Sequence, residues 1–202
     1  MNTRDARAPL NAPMPDVQGS HDSRRLAIQR VGVKGVRYPL TWRSADGGTQ
    51  PAVGQFALYV HLPEDQKGTH MSRFIALLED VARADAAPLD VAGVRALHAR
   101  MLGLLEAQRG RFEMGFTMFV RKTAPVSGVQ SLLDYEVSVV VDGDAEAPDV
   151  TLTVLTPVKS LCPCSKSISD YGAHNQRSHI TMSVRTHEPL SPEALIRIAE
   201  ER

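Results

Sequence analysis

Cysteine is scarce in this sequence, because only two cysteines, Cys162 and Cys164, occur among its 202 residues. A disulfide between two cysteines that flank a single residue would close a strained ring, and a single disulfide cannot stabilise a fold of this size. A disulfide framework is therefore excluded. In a reducing compartment both thiols are free, which leaves packing, catalysis or metal binding as their uses.

Net charge is also absent, since 23 basic side chains balance 23 acidic ones. No overall field would attract nucleic acid or an anionic membrane, so we expect neither as a partner. The sequence has no unbroken apolar run of about 18 residues, the length that a membrane-spanning helix needs. Residues 1–27 lack the apolar core of a secretory signal. We expect them to form a disordered leader, and we expect the protein to be cytoplasmic.

Alternating apolar residues predict four strands between about residues 30 and 142, and helical spacing predicts two helices between the second and third strands. The strands are centred on residues 36–42, 56–62, 112–120 and 135–141, and the helices on residues 71–81 and 89–105. Ser72 and Asp90 are placed to cap the two helices, and Gly110 is placed to end the second. This order predicts an α+β fold.

The acidic segment DGDAEAPD at residues 142–149 is the best candidate for an internal boundary. The pattern begins again after it, with alternation at 150–154 and 180–184 and a helix that Ser191 caps and Pro192 opens. We therefore divide the chain into a first unit at residues 28–142 and the start of a second unit at residues 150–202. The second unit is incomplete, and we expect its helix-facing sheet surface to be covered from elsewhere.

The stretch SLCPCSKSISDYGAHNQRSH at residues 160–179 places both cysteines, His174 and His179 on a polar loop between strands. Functional groups are common on such loops, whereas a packing role would place the thiols in an apolar stretch. Cys162 and Cys164 are too close together for a zinc knuckle. A catalytic metal site needs fewer protein ligands, and cysteine with histidine suits zinc, manganese or iron. Spacing alone thus favours metal or thiol chemistry without selecting a reaction.

A second polar cluster, KGTHMSRF at residues 67–74, lies at the start of the first predicted helix. Helix N-termini carry partial positive charge and free N–H groups, so Lys67, His70, Ser72 and Arg73 would form an anion-binding site there. A capped and solvated helix start explains the same residues equally well.

Together, the motifs KGTHMSRF and PCSKSISDYGAHNQRSH resemble those of the type IB GTP cyclohydrolases, and VGVKGVRYPL is similar to the first strand of that family. The resemblance extends from Ile28 to the last residue. It implies a tunnelling fold, in which each unit is an antiparallel four-stranded sheet with two helices on one face. It also implies tandem units in one chain, of which the second is incomplete here, and a homotetramer with active sites at subunit interfaces.

The resemblance further implies the first reaction of tetrahydrofolate biosynthesis. In that reaction a divalent metal activates water to attack C8 of GTP, formate leaves, and 7,8-dihydroneopterin triphosphate forms. Cys162 and His174 are the implied metal ligands, whereas Cys164 is not assigned as one. We expect His179 to transfer protons, because an imidazole titrates near neutral pH. The residues expected to bind GTP are Lys67, His70, Ser72 and Arg73.

The sequence departs from that family in its C-terminal part, where members continue for a further helix and two strands. That region supplies a glutamate ligand to the metal and the glutamate that anchors the guanine edge. Glu193, Glu200 and Glu201 are not assigned to those roles, and we expect the chain to be a fragment. Two alternatives stay open. One is another tunnelling-fold enzyme on a purine or pterin substrate, such as a nitrile reductase with a covalent cysteine and NADPH, and the other is an inactive nucleotide-binding paralogue.

Overall fold

A computed structural model of the protein describes residues 18–188 and 190–201. This part of the chain forms an α+β fold, as predicted, and contains six strands and four helices. In chain order they are β1 (Ile28–Arg43), β2 (Thr49–Leu62), α1 (Met71–Ala82), α2 (Val91–Leu104), β3 (Gly110–Thr123), β4 (Gln130–Gly143), β5 (Asp149–Leu161), α3 (Pro163–Ile168), β6 (Asn175–Thr186) and α4 (Pro192–Glu200). Within the described residues, the helices are all too short or too polar to cross a membrane.

The six strands form one antiparallel sheet in the order β1-β2-β3-β4-β5-β6. The expected four-stranded sheet is therefore wrong in strand number, because β5 pairs directly with β4. The acidic segment between them folds into a tight turn, in which the Asp144 carboxylate accepts hydrogen bonds from the N–H groups of Glu146 and Ala147. Such a turn keeps consecutive strands side by side. The division into units at 28–142 and 150–202 remains a prediction.

The hydrophobic core lies on one face of this sheet. Alternate side chains of β2 to β5 are buried there, and helices α1, α2 and α4 pack on them. Each large apolar side chain removed from water contributes about 1.5–3 kcal/mol to folding. The opposite face, which we call the open face, carries the remaining alternate residues and is mostly polar. Its members include Gly115, Thr117, Glu136, Thr153 and Ser183.

Two of the predicted helix caps are confirmed. Asp90 accepts a hydrogen bond from Gly93 N at 2.7 Å, and Ser191 accepts one from Ala194 N at 3.3 Å. The predictions for Ser72 and Gly110 are wrong. Helix α1 begins at Met71 with His70 at the N-cap position, so Ser72 is already inside the helix. Helix α2 ends at Leu104, and Gly110 instead opens β3.

Part of the predicted leader is ordered against the loop that follows β2. Lys67 N donates to Ser20 O at 3.1 Å, and Gly68 N donates to Gln18 O at 3.0 Å. Asp22 N donates to Asp65 O at 2.9 Å in the same ladder. Backbone pairing thus fixes residues 18–22 beside the KGTHMSRF motif, while residues 1–17 of the predicted leader lie outside the described residues.

His98 connects α2 to the first residue of β3. The side chain is fully buried, and its Nε2 lies 3.0 Å from the carbonyl oxygen of Gly110, to which it donates in the neutral ring. Burial lowers the pKa of His98 below its ordinary value of 6.5, while the hydrogen bond to Gly110 and the charges of Asp142 and Asp144 oppose this shift. Burial has the largest effect, so the folded protein holds this imidazole neutral.

We expect this histidine to make stability depend on pH. The unfolded chain binds the proton near pH 6.5, and the folded chain binds it only at a lower pH. The contribution of the neutral His98 to the free energy of unfolding is therefore complete above pH 6.5. It decreases as the pH falls from the pKa of the unfolded chain to the lower pKa of the folded chain. Urea unfolding at pH 8 and pH 5 measures the difference. In His98→Gln, which keeps a donor and cannot titrate, the difference should shrink, and an unchanged difference would contradict this assignment.

Candidate active site

The β5–β6 pairing brings Cys162 and His174 together. The last pair of this ladder is Leu161 with Asn175, so the next residue on each side is Cys162 and His174. Cys162 N donates a hydrogen bond to His174 O at 3.1 Å. Two residues that are separated in sequence by a whole loop thus lie opposite each other, where a strand pair opens into that loop.

Ser165 joins the two ends of the loop. Its hydroxyl donates to Cys162 O at 3.2 Å and accepts from His174 N at the same distance. The serine lies in α3, the short helix for which Cys162 is the N-cap residue. The sequence motifs did not indicate a role for this residue. No local pattern marks this serine, because one of its two partners, His174, lies nine positions further along the chain.

The same turn favours the thiolate of Cys162. The pKa of this thiol lies below its ordinary value of 9.0, mainly because of the nearby backbone N–H of Ser165, with a smaller contribution from the Ser165 hydroxyl. Thiolates are both the nucleophilic and the metal-binding form of cysteine. Cys162 is half-buried, whereas Cys164 is exposed, so the two thiols differ in environment.

The lowered pKa predicts the alkylation behaviour of Cys162. In the Cys164→Ala variant, where Cys162 is the only thiol, the rate of reaction with iodoacetamide should rise with pH with a midpoint below 9.0. Adding Ser165→Ala should move that midpoint upward, because the Ser165 hydroxyl contributes to the lowered pKa of Cys162. The measurement is made with a chelator present, and a midpoint at or above 9.0 before the serine is changed would contradict the assignment.

The loop forms an open surface. His174 and His179 are both exposed, and His179 lies further along β6, paired with Pro157 and on the open face of the sheet. Among the described residues, no group of three or more His, Cys, Asp and Glu side chains is arranged to hold a metal ion. Within the described residues, the backbone places two of the predicted ligands, Cys162 and His174, next to each other.

The predicted anion-binding cluster has its own contacts. Arg73 Nη1 donates to Leu104 O at 2.7 Å and pairs with Glu106 Oε1 at 3.1 Å, so this guanidinium binds the end of α2. The position of Lys67 is fixed by its backbone bond to Ser20. Lys67 and Arg73 are thus on the same short segment, but the side chain of Arg73 is engaged within the chain.

The two predicted clusters lie at opposite ends of the sheet. The KGTHMSRF motif follows the end of β2, which is aligned through β3 and β4 with the start of β5. Cys162 follows the end of β5. That strand has 13 residues, which span on the order of 40 Å when extended. One GTP molecule therefore cannot contact both clusters within one chain.

Comparison with known proteins identifies the family. The family model described as type I GTP cyclohydrolase folE2 matches residues 14–202. The GTP cyclohydrolase FolE2 of Paraburkholderia phymatum is 60% identical over 188 residues, which cover 93% of this chain and 69% of that protein. The GTP cyclohydrolase FolE2 of Cupriavidus necator is 58% identical over 188 residues, covering 93% and 68%. The protein of Dechloromonas aromatica named GTP cyclohydrolase FolE2 1 is 56% identical over 195 residues, covering 96% and 72%.

The chain belongs to the type I GTP cyclohydrolase folE2 family. This finding confirms the resemblance that the two sequence motifs indicated.

Proposed function

We propose that this protein is a GTP cyclohydrolase of folate biosynthesis, which hydrolyses GTP at C8 to give formate and 7,8-dihydroneopterin triphosphate. The observation that carries the proposal is the identity of 60% to a GTP cyclohydrolase FolE2 over 93% of this chain. The matched region includes the loop where Cys162 and His174 meet.

The donor set of this loop fits a divalent metal ion. A thiolate and an imidazole are ligands that zinc, iron and manganese sites use, and Cys162 is held in a turn that favours its thiolate. We propose Cys162 and His174 as two of the ligands. When bound, the ion would supply Lewis acidity, which lowers the pKa of water toward neutrality.

The remaining residues would position the ligands, transfer protons and bind GTP. Ser165 keeps Cys162 and His174 in register by bonding to the backbone of both. His179, exposed on the open face, is the proposed proton carrier, since a positioned imidazole can act as a general acid or base. The proposed contacts to GTP remain Lys67, His70, Ser72 and Arg73. Arg73 would have to exchange its bond to Glu106 for one to phosphate.

We further propose that the active site is completed between copies of the chain, in a cytoplasmic homotetramer with the tunnelling fold. Two observations support this assembly. The thiol loop is an open surface, and hydrolytic sites that process reactive intermediates are normally closed to bulk water. The two predicted clusters also lie about one strand length apart, so a second copy would have to supply one of them.

The test is a turnover assay with GTP on the purified protein as it assembles in solution, supplied in turn with zinc, manganese and iron. Release of formate together with a fluorescent pterin after oxidation is the expected result, and ATP serves as the control nucleotide. Binding of GTP without formate release would favour the inactive paralogue instead. A covalent adduct on Cys162 with consumption of NADPH would favour a nitrile reductase.

A further inference from the structure

A cavity of about 390 Å³ opens between the end of β2 and the start of β3. Its walls come from the first residues of β1, the last residues of β2, the first of β3 and the last of β4. Four of the lining side chains are basic, and we call them the arginine cleft: Arg30, His61, Arg109 and Arg111. The one acidic lining residue is Asp142.

Positive charge exceeds negative charge inside this cleft. Arg111 Nη1 donates to Asp142 Oδ2 at 2.7 Å, and Arg30 Nη2 approaches the same oxygen at 3.4 Å, so two guanidinium groups share one carboxylate oxygen. Arg111 also donates to Glu113. Arg109 makes no ion pair with any carboxylate in the described part of the chain.

The carboxylate of Asp144 lies outside the lining of the cleft, but it keeps its charge, which interacts with the charge of Arg109. It accepts two backbone hydrogen bonds in the β4–β5 turn, from Glu146 N at 3.1 Å and Ala147 N at 2.8 Å. The Arg111 side chain is 26% exposed, so its charge is only partly screened by water. Among the residues that line the cleft, a further anion would meet three guanidinium groups and one carboxylate.

We propose that the arginine cleft binds phosphate groups of an oligophosphate. Guanidinium groups match the oxygen geometry of phosphate and form two parallel hydrogen bonds to it, which makes arginine the preferred residue for this recognition. Arg30 lies in β1, Arg109 directly precedes β3, and both line the cavity, so together they can contact successive phosphates. His61 adds a donor whose backbone is fixed by the bond from His61 N to Arg109 O at 2.9 Å.

The cleft differs from both clusters that the sequence motifs indicated. Its residues lie outside the KGTHMSRF segment, and it is separated from Cys162 by the length of β5. Two sources of the ligand share the same chemistry: the triphosphate tail of a nucleotide, and a free inorganic oligophosphate. The proposal concerns the site and does not depend on turnover of GTP.

Calorimetric titration of the whole protein with inorganic triphosphate, in buffer without free divalent cations, tests the proposal. Wild-type protein should bind, and the affinity should fall with added salt. Arg109→Gln should weaken binding by about tenfold or more, because a charge-assisted hydrogen bond is lost. Arg109 has no ion pair to lose, so this variant should keep its wild-type melting temperature.

Arg121→Gln is the matched control. It removes the same charge from an exposed arginine at the far end of β3 and should change the affinity by less than about twofold. Absence of binding to wild-type protein would overturn the proposal, as would equal losses in the Arg109 and Arg121 variants.

Parallel titrations with GTP and with guanosine distinguish the sources. If Arg109→Gln weakens GTP binding and leaves guanosine binding unchanged, the cleft holds the nucleotide tail. If the variant weakens triphosphate binding alone, the cleft is a separate site for free oligophosphate. Either result supports an oligophosphate site, and neither depends on whether formate is released.

Discussion

Replacing Cys162 or His174 with alanine is expected to reduce GTP turnover by about 100-fold or more, because changes that only support a metal ligand already cost about 10–100-fold. Each variant should also lose bound metal. The two residues face each other across the opening of the β5–β6 pair, so removal of either would leave one proposed ligand alone. Formate release and metal analysis of the purified variants measure both effects.

Cys164→Ala is the matched control for this experiment. It changes the same residue type two positions away, and Cys164 is exposed where Cys162 is half-buried. Proline between the two cysteines fixes one backbone angle and makes it difficult for both side chains to turn toward one ion. The variant should retain metal and measurable turnover. The reverse order, with Cys164 essential and Cys162 dispensable, would exchange the two assignments.

Removal of divalent metal is expected to abolish formate release, and adding metal back should restore it. The thiolate and imidazole of the loop would then be left without the Lewis acid that the proposed reaction needs. Dialysis against a strong chelator, followed by titration with zinc, manganese or iron, provides the measurement. Circular dichroism on the same samples shows whether the fold survives. Full activity in a folded, metal-free protein would exclude the hydrolytic mechanism.

Local patterns predicted most of the elements, because strand and helix periodicities are properties of neighbouring residues. β3 and β4 alternate without interruption, and the predicted strands at 112–120 and 135–141 lie within them. The alternation identified β1 only from Val36. In the structure Gly35, with φ of 72°, is an extra residue in β1. Val31 and Val33 before it and Val36 and Tyr38 after it pack on the core, so the inward positions change from odd to even numbers at Gly35. Such a bulge conceals the first half of the strand from a period-two pattern.

The site was harder to predict, since it depends on contacts between distant residues. Cys162 and His174 were proposed as ligands from the motif, but their backbone bond follows from the β5–β6 register. Helix α3 has no buried residues, so no apolar periodicity in the sequence predicts it. The bond from Arg73 to Glu106 joins residues 33 positions apart and is outside the reach of any local pattern.

The opposite placement of the two clusters has a genetic consequence. If each active site takes its thiol loop from one copy and its KGTHMSRF segment from another, Lys67→Ala and Cys162→Ala damage different halves of that site. Co-expressed in one cell that lacks its own cyclohydrolase, the two defective alleles should form mixed assemblies, some of whose sites combine two intact halves. Growth without added folate-pathway products would then reappear from two alleles that each fail alone. Such complementation would not arise if every chain carried a complete site.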